Sequence, residues 1–540
     1  MTWTRREWLE RTTLAGAASL LPVAVGCDDG AKDACNTGAN DPLPTLPSYS
    51  YSGTPGPANL FEHGVASGDP LTDRVILWTR VSPTSSSPVD IWWEMALDTA
   101  FERRVAQGTF ATDASRDFTV KVDASGLLPG RTYYYRFFAL GVQSPIGRTK
   151  TAVDGSPSRL RFAVVTCSSY AHGLFHAYRR IAEREDLDAV IHLGDYIYEY
   201  GNGDYGSYRT YDPPTEILSL DDYRRRYKHY RKDADLQAIH QQHPFIAVWD
   251  DHETANDTYK DGAQNHDEGP EGTFVARKAA SLQAYLEYMP IRSPGGEKIF
   301  RTLSYGNLVD LICLDTRRYG RDQQLEAVAD EVPSRTILGT EQEAWANQQL
   351  ASSTSVWRVL VQQVMMAPML LLGAPVNLDA WDGYPSARGR MIEAIRGSLG
   401  NVVVLTGDIH SSWANDVPGE PLDPSTYDPA TGAGSVAVEF VTPSVTSAGL
   451  EGDNGSIQQL FVDSNPHTKY VDLKQHGYLV LDVRAAKVQA DWYYVEDIRS
   501  ETGGKESHAV SYAVYSGKPS LRKMSGPESP KASCELAPSS

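Results

Sequence analysis

The hydrophobic pattern of this 540-residue chain changes period near residue 157, and the change restricts the folds open to it. From about 58 to 152 the apolar residues recur with period two, in runs at 75–81, 91–97 and 132–137. Gly68-Asp69-Pro70, a Ser/Pro cluster at 82–88 and Pro129-Gly130 bound these runs, with no helical stretch between them. The pattern predicts an antiparallel β-sandwich of fibronectin or immunoglobulin (Ig-like) type. Trp92 and Trp93 stand in it either as a sugar-stacking surface or as a core tryptophan beside an edge one. Beyond 157, short, largely apolar runs at 160–165, 189–193, 245–248, 308–312, 356–361 and 401–405 alternate with helical stretches such as 176–184. That alternation makes an α/β domain over 157–515 with a largely buried sheet, completed by the β pattern after 435.

Both ends of the chain read differently from the body. An apolar run at 14–25 is too short to span a bilayer but has the length of a signal core. Thr4-Arg5-Arg6-Glu7-Trp8-Leu9-Glu10 precedes it and resembles a twin-arginine (Tat) export signal, with Trp8 and Glu10 where Phe and Lys are usual. The run ends Ala24-Val25-Gly26-Cys27, which is similar to a lipobox. Segment 1–27 is thus a signal leading either to a lipidated Cys27 or to a soluble protein cut nearby. Residues 28–57 read as a flexible linker and 516–540 as a polar tail. Cys35 and Cys534 either pair or remain free thiols. No later stretch reaches 18 apolar residues, so membrane contact is expected only through the lipid anchor.

Composition removes whole classes of function. With 69 acidic against 50 basic residues, the net charge of −19 excludes nucleic acid as a structural partner. A chain 41% hydrophobic and 10% aromatic is neither disordered nor fibrous, and five cysteines cannot build a disulfide scaffold. No Gly-x-Ser-x-Gly elbow points to a nucleophilic serine, and no His-Glu-x-x-His or paired Cys-x-x-Cys points to zinc.

The chemistry gathers where apolar strands end, which is where sites form in open α/β folds. Strand 160–166 runs into Cys167, and strand 189–193 into Gly194-Asp195-Tyr196-Ile197-Tyr198. Strand 245–249 runs into Asp250-Asp251-His252-Glu253, with Asn256 close behind, and strand 401–406 into Gly407-Asp408-Ile409-His410. One aspartate after a strand is usually a cap or turn residue. Four strand ends delivering carboxylate, thiolate, phenolate and imidazole together are what a metal cluster requires.

This order of motifs resembles the PhoD-type alkaline phosphatases, a branch of the metallophosphoesterases. The likeness runs from Phe61-Glu62-His63-Gly64-Val65-Ala66-Ser67-Gly68-Asp69-Pro70 to His410. It includes Asp222-Tyr223-Arg224-Arg225-Arg226-Tyr227, Tyr230-Arg231-Lys232-Asp233, Leu314-Asp315-Thr316-Arg317 and Trp381-Asp382-Gly383-Tyr384. The resemblance implies a metallophosphoesterase-like layered β-sheet core flanked by helices, of mixed α+β and α/β character, behind the sandwich. It implies Fe3+ and Ca2+, held by Cys167, Asp195, Tyr198, Asp251, Asp408 and His410, with Asp195 bridging two cations and Asp251 where the superfamily more often carries Asn. The first motif here is Cys167-Ser168-Ser169 in place of Asp-x-His, and Gln362-Gln363 stands on a middle strand that usually offers histidine. Those departures leave the third metal without assigned ligands. Cys167 as an inert buried thiol and Tyr198 as a core aromatic are the readings that compete with ligation.

The implied reaction is hydrolysis of a small phosphomonoester or phosphodiester by in-line attack of a metal-activated hydroxide. A phospholipid head group is the alternative substrate, and a phosphate- or calcium-binding surface lipoprotein is the non-enzymatic alternative. Arg226, or its neighbours Arg224 and Arg231, is expected to clamp a phosphate oxygen. His252 is expected to give a proton to the leaving group or to fix the phosphate, Asn256 to bind substrate, and Trp381 and Tyr384 to wall the substrate entrance or to pack in the core. The export reading makes the Tat translocase a partner, with a periplasmic or extracellular destination. Replacing Arg5-Arg6 by Lys-Lys is expected to strand the precursor in the cytoplasm; fractionation that shows normal export rejects the signal.

Overall fold

The computed structural model describes residues 43–539 except 294, 451, 453 and 454. The signal, Cys27 and Cys35 lie outside the described residues. Within them, neither Cys167 nor Cys313 is in a disulfide, whereas Cys534 is disulfide-bonded.

Two large mixed sheets face each other. In the first, of ten strands, Leu160–Val165, Ala189–His192 and Pro244–Ala247 run parallel at the centre. Gly477–Arg484, Lys487–Val495, Glu506–Tyr515 and Lys518–Lys523 extend it antiparallel on one side. The second, of seven strands, has Val309–Cys313, Trp357–Val361, Val402–Thr406 and Ser435–Val441 parallel at its centre. Strand periodicity sorts its residues between two cores. Val359, Val403 and Phe440 turn inward to the cluster shared with the first sheet, while Leu360, Val402, Val404 and Val441 turn outward to pack with helices Gly339–Ser352 and Pro385–Gly397. Across the inner seam Phe162 meets Tyr305 edge to face at 5.1 Å and Phe440 meets Trp492 at 5.8 Å. Helices His176–Ala182, Leu220–Tyr230, Ala234–Gln242 and Phe274–Tyr288 add their apolar faces to the same core.

The N-terminal region departs from the sandwich expected at 58–152. Val89–Ala96, Arg104–Thr112, Thr132–Ala139 and the short strands after them form a five-stranded sheet. Its facing strands do not close on themselves. Val65–Gly68 pairs in parallel with Pro244–Ala247, so it joins Arg74–Arg80 and Thr119–Ser125 to the ten-stranded sheet. A self-contained Ig-like domain has no such bond to its neighbour. The backbone edge of Pro244–Ala247 would otherwise be an unpaired row of buried groups, and Val65–Gly68 satisfies it. Polar contacts reinforce the join: Trp78 Nε1 donates to Glu287 O at 2.8 Å, and Arg301 donates to buried Asp69 at 2.5 Å. Trp92 is half-buried under Tyr49 (ring centroids 6.4 Å) and Trp93 is buried in the apolar core of this N-terminal region.

The described part of the linker, expected to be flexible, and the polar tail are both strapped down. In the linker, Tyr49 stacks on Phe138 at 4.7 Å and Arg104 donates to Leu46 O and Pro47 O. In the tail, Lys518–Lys523 is a strand, Lys531 Nζ donates to Asp188 at 2.5 Å, and Gln242 exchanges hydrogen bonds with Ala537 in both directions. Polar composition was read as mobility, yet these backbones find buried acceptors and donors. Because one sheet runs through both regions, a fragment starting at 157 is expected to lose its cooperative melting transition and aggregate through the bared Pro244–Ala247 edge. Thermal denaturation with light scattering checks this.

Candidate metal centre

Three parallel strands of the first sheet and one of the second deliver the ionisable loops to one place. An isolated bridge from Thr166 to Ser444 and the bond from Thr442 Oγ1 to Val164 O at 3.0 Å bring the sheets together there. The loops then bond to each other: Cys167 N donates to Gly194 O at 3.1 Å and Ser168 N to Asp195 O at 2.9 Å. Gly194 has φ of +104°, and a Cβ there would fall 2.4 Å from Asp250 N, so this close approach of two strand ends demands glycine. Cys167, Asp195, Asp408 and His410 themselves adopt left-handed backbone, with φ of 57°, 55°, 64° and 57°. Each costs about 1 kcal/mol for a residue with a side chain, a cost that accumulates where side chains must be aimed rather than merely packed.

The side chains fall into three buried groups whose ligand atoms lie within 4.8 Å of one another: Cys167–Asp195–His410, Asp195–Asp251–His252 and Asp250–Asp251–Asp408. Asp195 and Asp251 each belong to two of them. Tyr198 joins the first, its hydroxyl 2.9 Å from Asp195 Oδ2 and 3.2 Å from His410 Nε2. Ser447 Oγ lies 2.6 Å from that hydroxyl and 2.8 Å from Cys167 O. The first group offers sulfur, phenol and imidazole, donors for a strongly Lewis-acidic transition metal, and the third offers only carboxylate oxygens, donors for a hard cation.

The surrounding residues balance this charge. Glu253 accepts the N–H groups of Asp195 (3.1 Å), Tyr196 (2.5 Å) and Asp250 (2.7 Å), and so ties two loops together. Burial, with Asp195 adding to it, pushes the Glu253 carboxyl up to about 8. Burial and the neighbouring Asp251, Asp195 and Asp408 carry Asp250 well above the carboxylate range despite Arg317. Burial works against charge on His252, but Glu199, 2.7 Å from its Nδ1, with Asp251 and Asp195, raises it to about 10.

Other residues expected at the site sit elsewhere. Arg226 is buried and cannot clamp a phosphate: it donates to the carbonyls of Tyr198, Tyr200 (3.0 Å), Pro213 (3.0 Å) and Thr215 (3.2 Å) and stacks on Tyr211. It braces the loop that carries Tyr198. Arg224 is paired with Glu287 and bonds to Ser115 O, joining its helix to the sandwich. Arg231 lies over Trp78 and donates to Tyr288 O at 2.8 Å. Trp381 and Tyr384 do not line an entrance; both are buried, with Trp381 Nε1 on Gln362 Oε1 and the Tyr384 hydroxyl on Asp322 O. Asn256 remains beside the centre, its N–H donating to Glu199 at 2.8 Å and its side chain to Gln264.

Sequence reasoning assigned no role to Glu199, Asp250, Glu253, Arg317 or Ser447. Glu199, Asp250 and Glu253 had a signal, because they adjoin assigned residues in runs too acidic to be buried without partners. Arg317 stands in the family-like stretch Leu314-Asp315-Thr316-Arg317, which marks the position but not its role; Ser447 had no signal, since its partners Cys167 and Tyr198 are distant in the chain.

A family model described as PhoD-like phosphatase matches residues 162–492, and the model of that family's N-terminal domain matches 49–153. The chain is 39% identical over 494 residues to alkaline phosphatase D of Bacillus subtilis (strain 168), covering 86% of this chain and 82% of that protein. The solved structure of PhoD superposes with a TM-score of 0.80 at 36% identity, over 89% of this chain and 94% of that one.

The raised groups set a pH dependence for the protein stripped of cations. Folded Glu253 keeps its proton from its ordinary 4.5 up to about 8, and His252 from 6.5 up to about 10, where the unfolded chain has released both. Stability is therefore fully present at low pH and declines as pH rises, by at most about 1.4 kcal/mol per pH unit for each group. Melting curves of chelator-treated protein are expected to fall from pH 5 to pH 9, and added divalent cations to flatten the decline.

Proposed function

Because this chain belongs to the PhoD-like phosphatase family and is a phosphoester hydrolase, we propose that it cleaves small phosphomonoesters and phosphodiesters at a centre of Fe3+ and Ca2+. The observation that carries this reading is the sharing of Asp195 and Asp251 between adjacent ligand groups, since one carboxylate in two groups is what a multinuclear centre needs. The donors fit: Cys167, Tyr198, Asp195 and His410 would hold the ferric ion, and Asp195, Asp251 and Asp408 the calcium. When bound, such ions supply an activated water and neutralise charge on the phosphoryl oxygens.

The chain's own residues do the rest. His252 is fixed by Glu199 at 2.7 Å in a protonated form, so it can pass a proton to the leaving alkoxide, with Glu199 holding the imidazole in place. Ser447 orients the Tyr198 hydroxyl. Glu253 aligns the Asp195 and Asp250 backbones, so both strand ends reach the centre in fixed register. The four layers of helix, sheet, sheet and helix are read as a metallophosphoesterase core, and residues 1–27 as the export signal that places it outside the cytoplasm.

Asp195→Asn, Asp251→Asn and His410→Ala are each expected to lower hydrolysis by at least about 100-fold while the melting transition persists. The purified protein is expected to contain iron and calcium and to be coloured, with the band lost in Cys167→Ser or Tyr198→Phe. A colourless, iron-free and fully active enzyme rejects the ferric assignment. Full turnover in all three variants rejects the site.

A further inference from the structure

The centre is closed to solvent. No residue assigned as a metal ligand is more than 2% exposed, nor is His252, yet a substrate phosphorus has to reach them. Tyr205 lies over this closed group and is itself partly exposed, so it connects the centre to the surface. Its ring stacks on Tyr198 at 5.4 Å and lies nearly parallel to the His252 imidazole at 6.3 Å, with planes 17° apart. Its hydroxyl is 3.5 Å from His410 Nδ1. Tyr200, also partly exposed, continues the wall at 5.1 Å from Tyr205 and 5.4 Å from His252.

The chain on either side of Tyr205 is held, while the turn that carries it is not packed. Asn202 N donates to Pro214 O at 2.7 Å, Tyr211 N to Asn202 Oδ1 at 2.6 Å, and Tyr208 N to Ala171 O at 2.7 Å. Between these ties stand Gly203 and Gly206, with φ of +88° and +84°, and a Cβ at Gly203 would meet nothing within 4 Å. Rotation at such positions swings the ring while both ends stay in place. An ester whose leaving oxygen faces His252 has its leaving group on the side where the Tyr205 ring now lies. We propose that Tyr205 determines leaving-group specificity: a leaving group enters by displacing this ring, and the room the ring yields sets the size accepted. The inference rests on the proton-donor reading of His252 for the direction of the leaving group; the closure of the centre stands without it.

Phenyl phosphate and 2-naphthyl phosphate carry leaving groups of similar acidity and different size, so the ratio of their kcat/KM values reads fit. Tyr205→Ala is expected to raise the naphthyl-to-phenyl ratio at least about tenfold, Tyr205→Phe to keep it within about threefold of wild type, and Tyr205→Trp to lower it. Access is read separately by iodoacetamide alkylation of Cys167 in the chelator-treated full-length protein, located by mass spectrometry, with Cys313 of the core as control. Cys167 is expected to react at least about tenfold faster in Tyr205→Ala than in wild type, with Cys313 unchanged. A Tyr205→Ala ratio within about threefold of wild type, or an unchanged Cys167 rate, overturns the proposal. If Cys313 accelerates equally, the alanine variant has lost its fold and the Tyr205→Trp ratio decides, an unlowered value overturning the proposal. A wild type that hydrolyses neither ester defeats the metal-centre reading, and the alkylation rates then decide on Tyr205 alone.

Discussion

Six carboxylates, Asp195, Glu199, Asp250, Asp251, Glu253 and Asp408, are buried within one junction between two sheets, and much of the surrounding structure balances that charge. Unscreened like charges in a low-dielectric interior cannot all remain ionised without compensation. Three kinds of compensation are present. Glu253 takes backbone N–H groups, Glu199 takes a protonated His252, and Asp250 and Asp408 share Arg317. What remains uncompensated is the place for cations. The same balance bears on how an acidic protein could attract a phosphate ester: with the proposed cations bound, the centre would be locally positive within a negative surface.

Aiming these groups takes strained backbone and an unusual glycine. Four site residues occupy left-handed conformations, and Gly194 lets the Asp195 loop lie against Asp250. Such strain persists only on a scaffold that over-determines it. Here the scaffold is the hydrogen-bonded sheet behind the loops, with Arg226 gripping five carbonyls of the loop that follows Asp195. An arginine that looked like a ligand-binding group instead braces the loop that carries Tyr198.

The N-terminal region belongs to that scaffold. Val65–Gly68 completes the edge of the strand that delivers Asp250 and Asp251, so the two family-matched segments share one sheet. The N-terminal strap packs on Phe138, and the C-terminal strap bonds to Asp188 and Gln242 of the region that follows. These contacts join residues from 57 to 343 positions apart, so local composition does not show them.

Much of the centre was legible in the sequence, because a strand followed at once by Cys167, by Asp195 and Tyr198, by Asp251 or by Asp408 and His410 is a local pattern. Period-two and mixed apolar runs likewise fixed the central strands to within a residue or two. The arginines were misjudged for a physical reason: a guanidinium on a polar helix face looks solvated, yet Arg226 and Arg231 turn inward to carbonyls and aromatic rings. Trp381 and Tyr384 were misplaced likewise, since a buried aromatic and one lining a cleft are identical in composition. The sequence by itself determined which donors stand at which strand ends, since that depends only on neighbours along the chain. The tertiary structure alone decided that those ends share Asp195 and Asp251, that Arg317 stands among the carboxylates, and that one sheet unites the two regions, because each depends on contacts that only long-range folding can make.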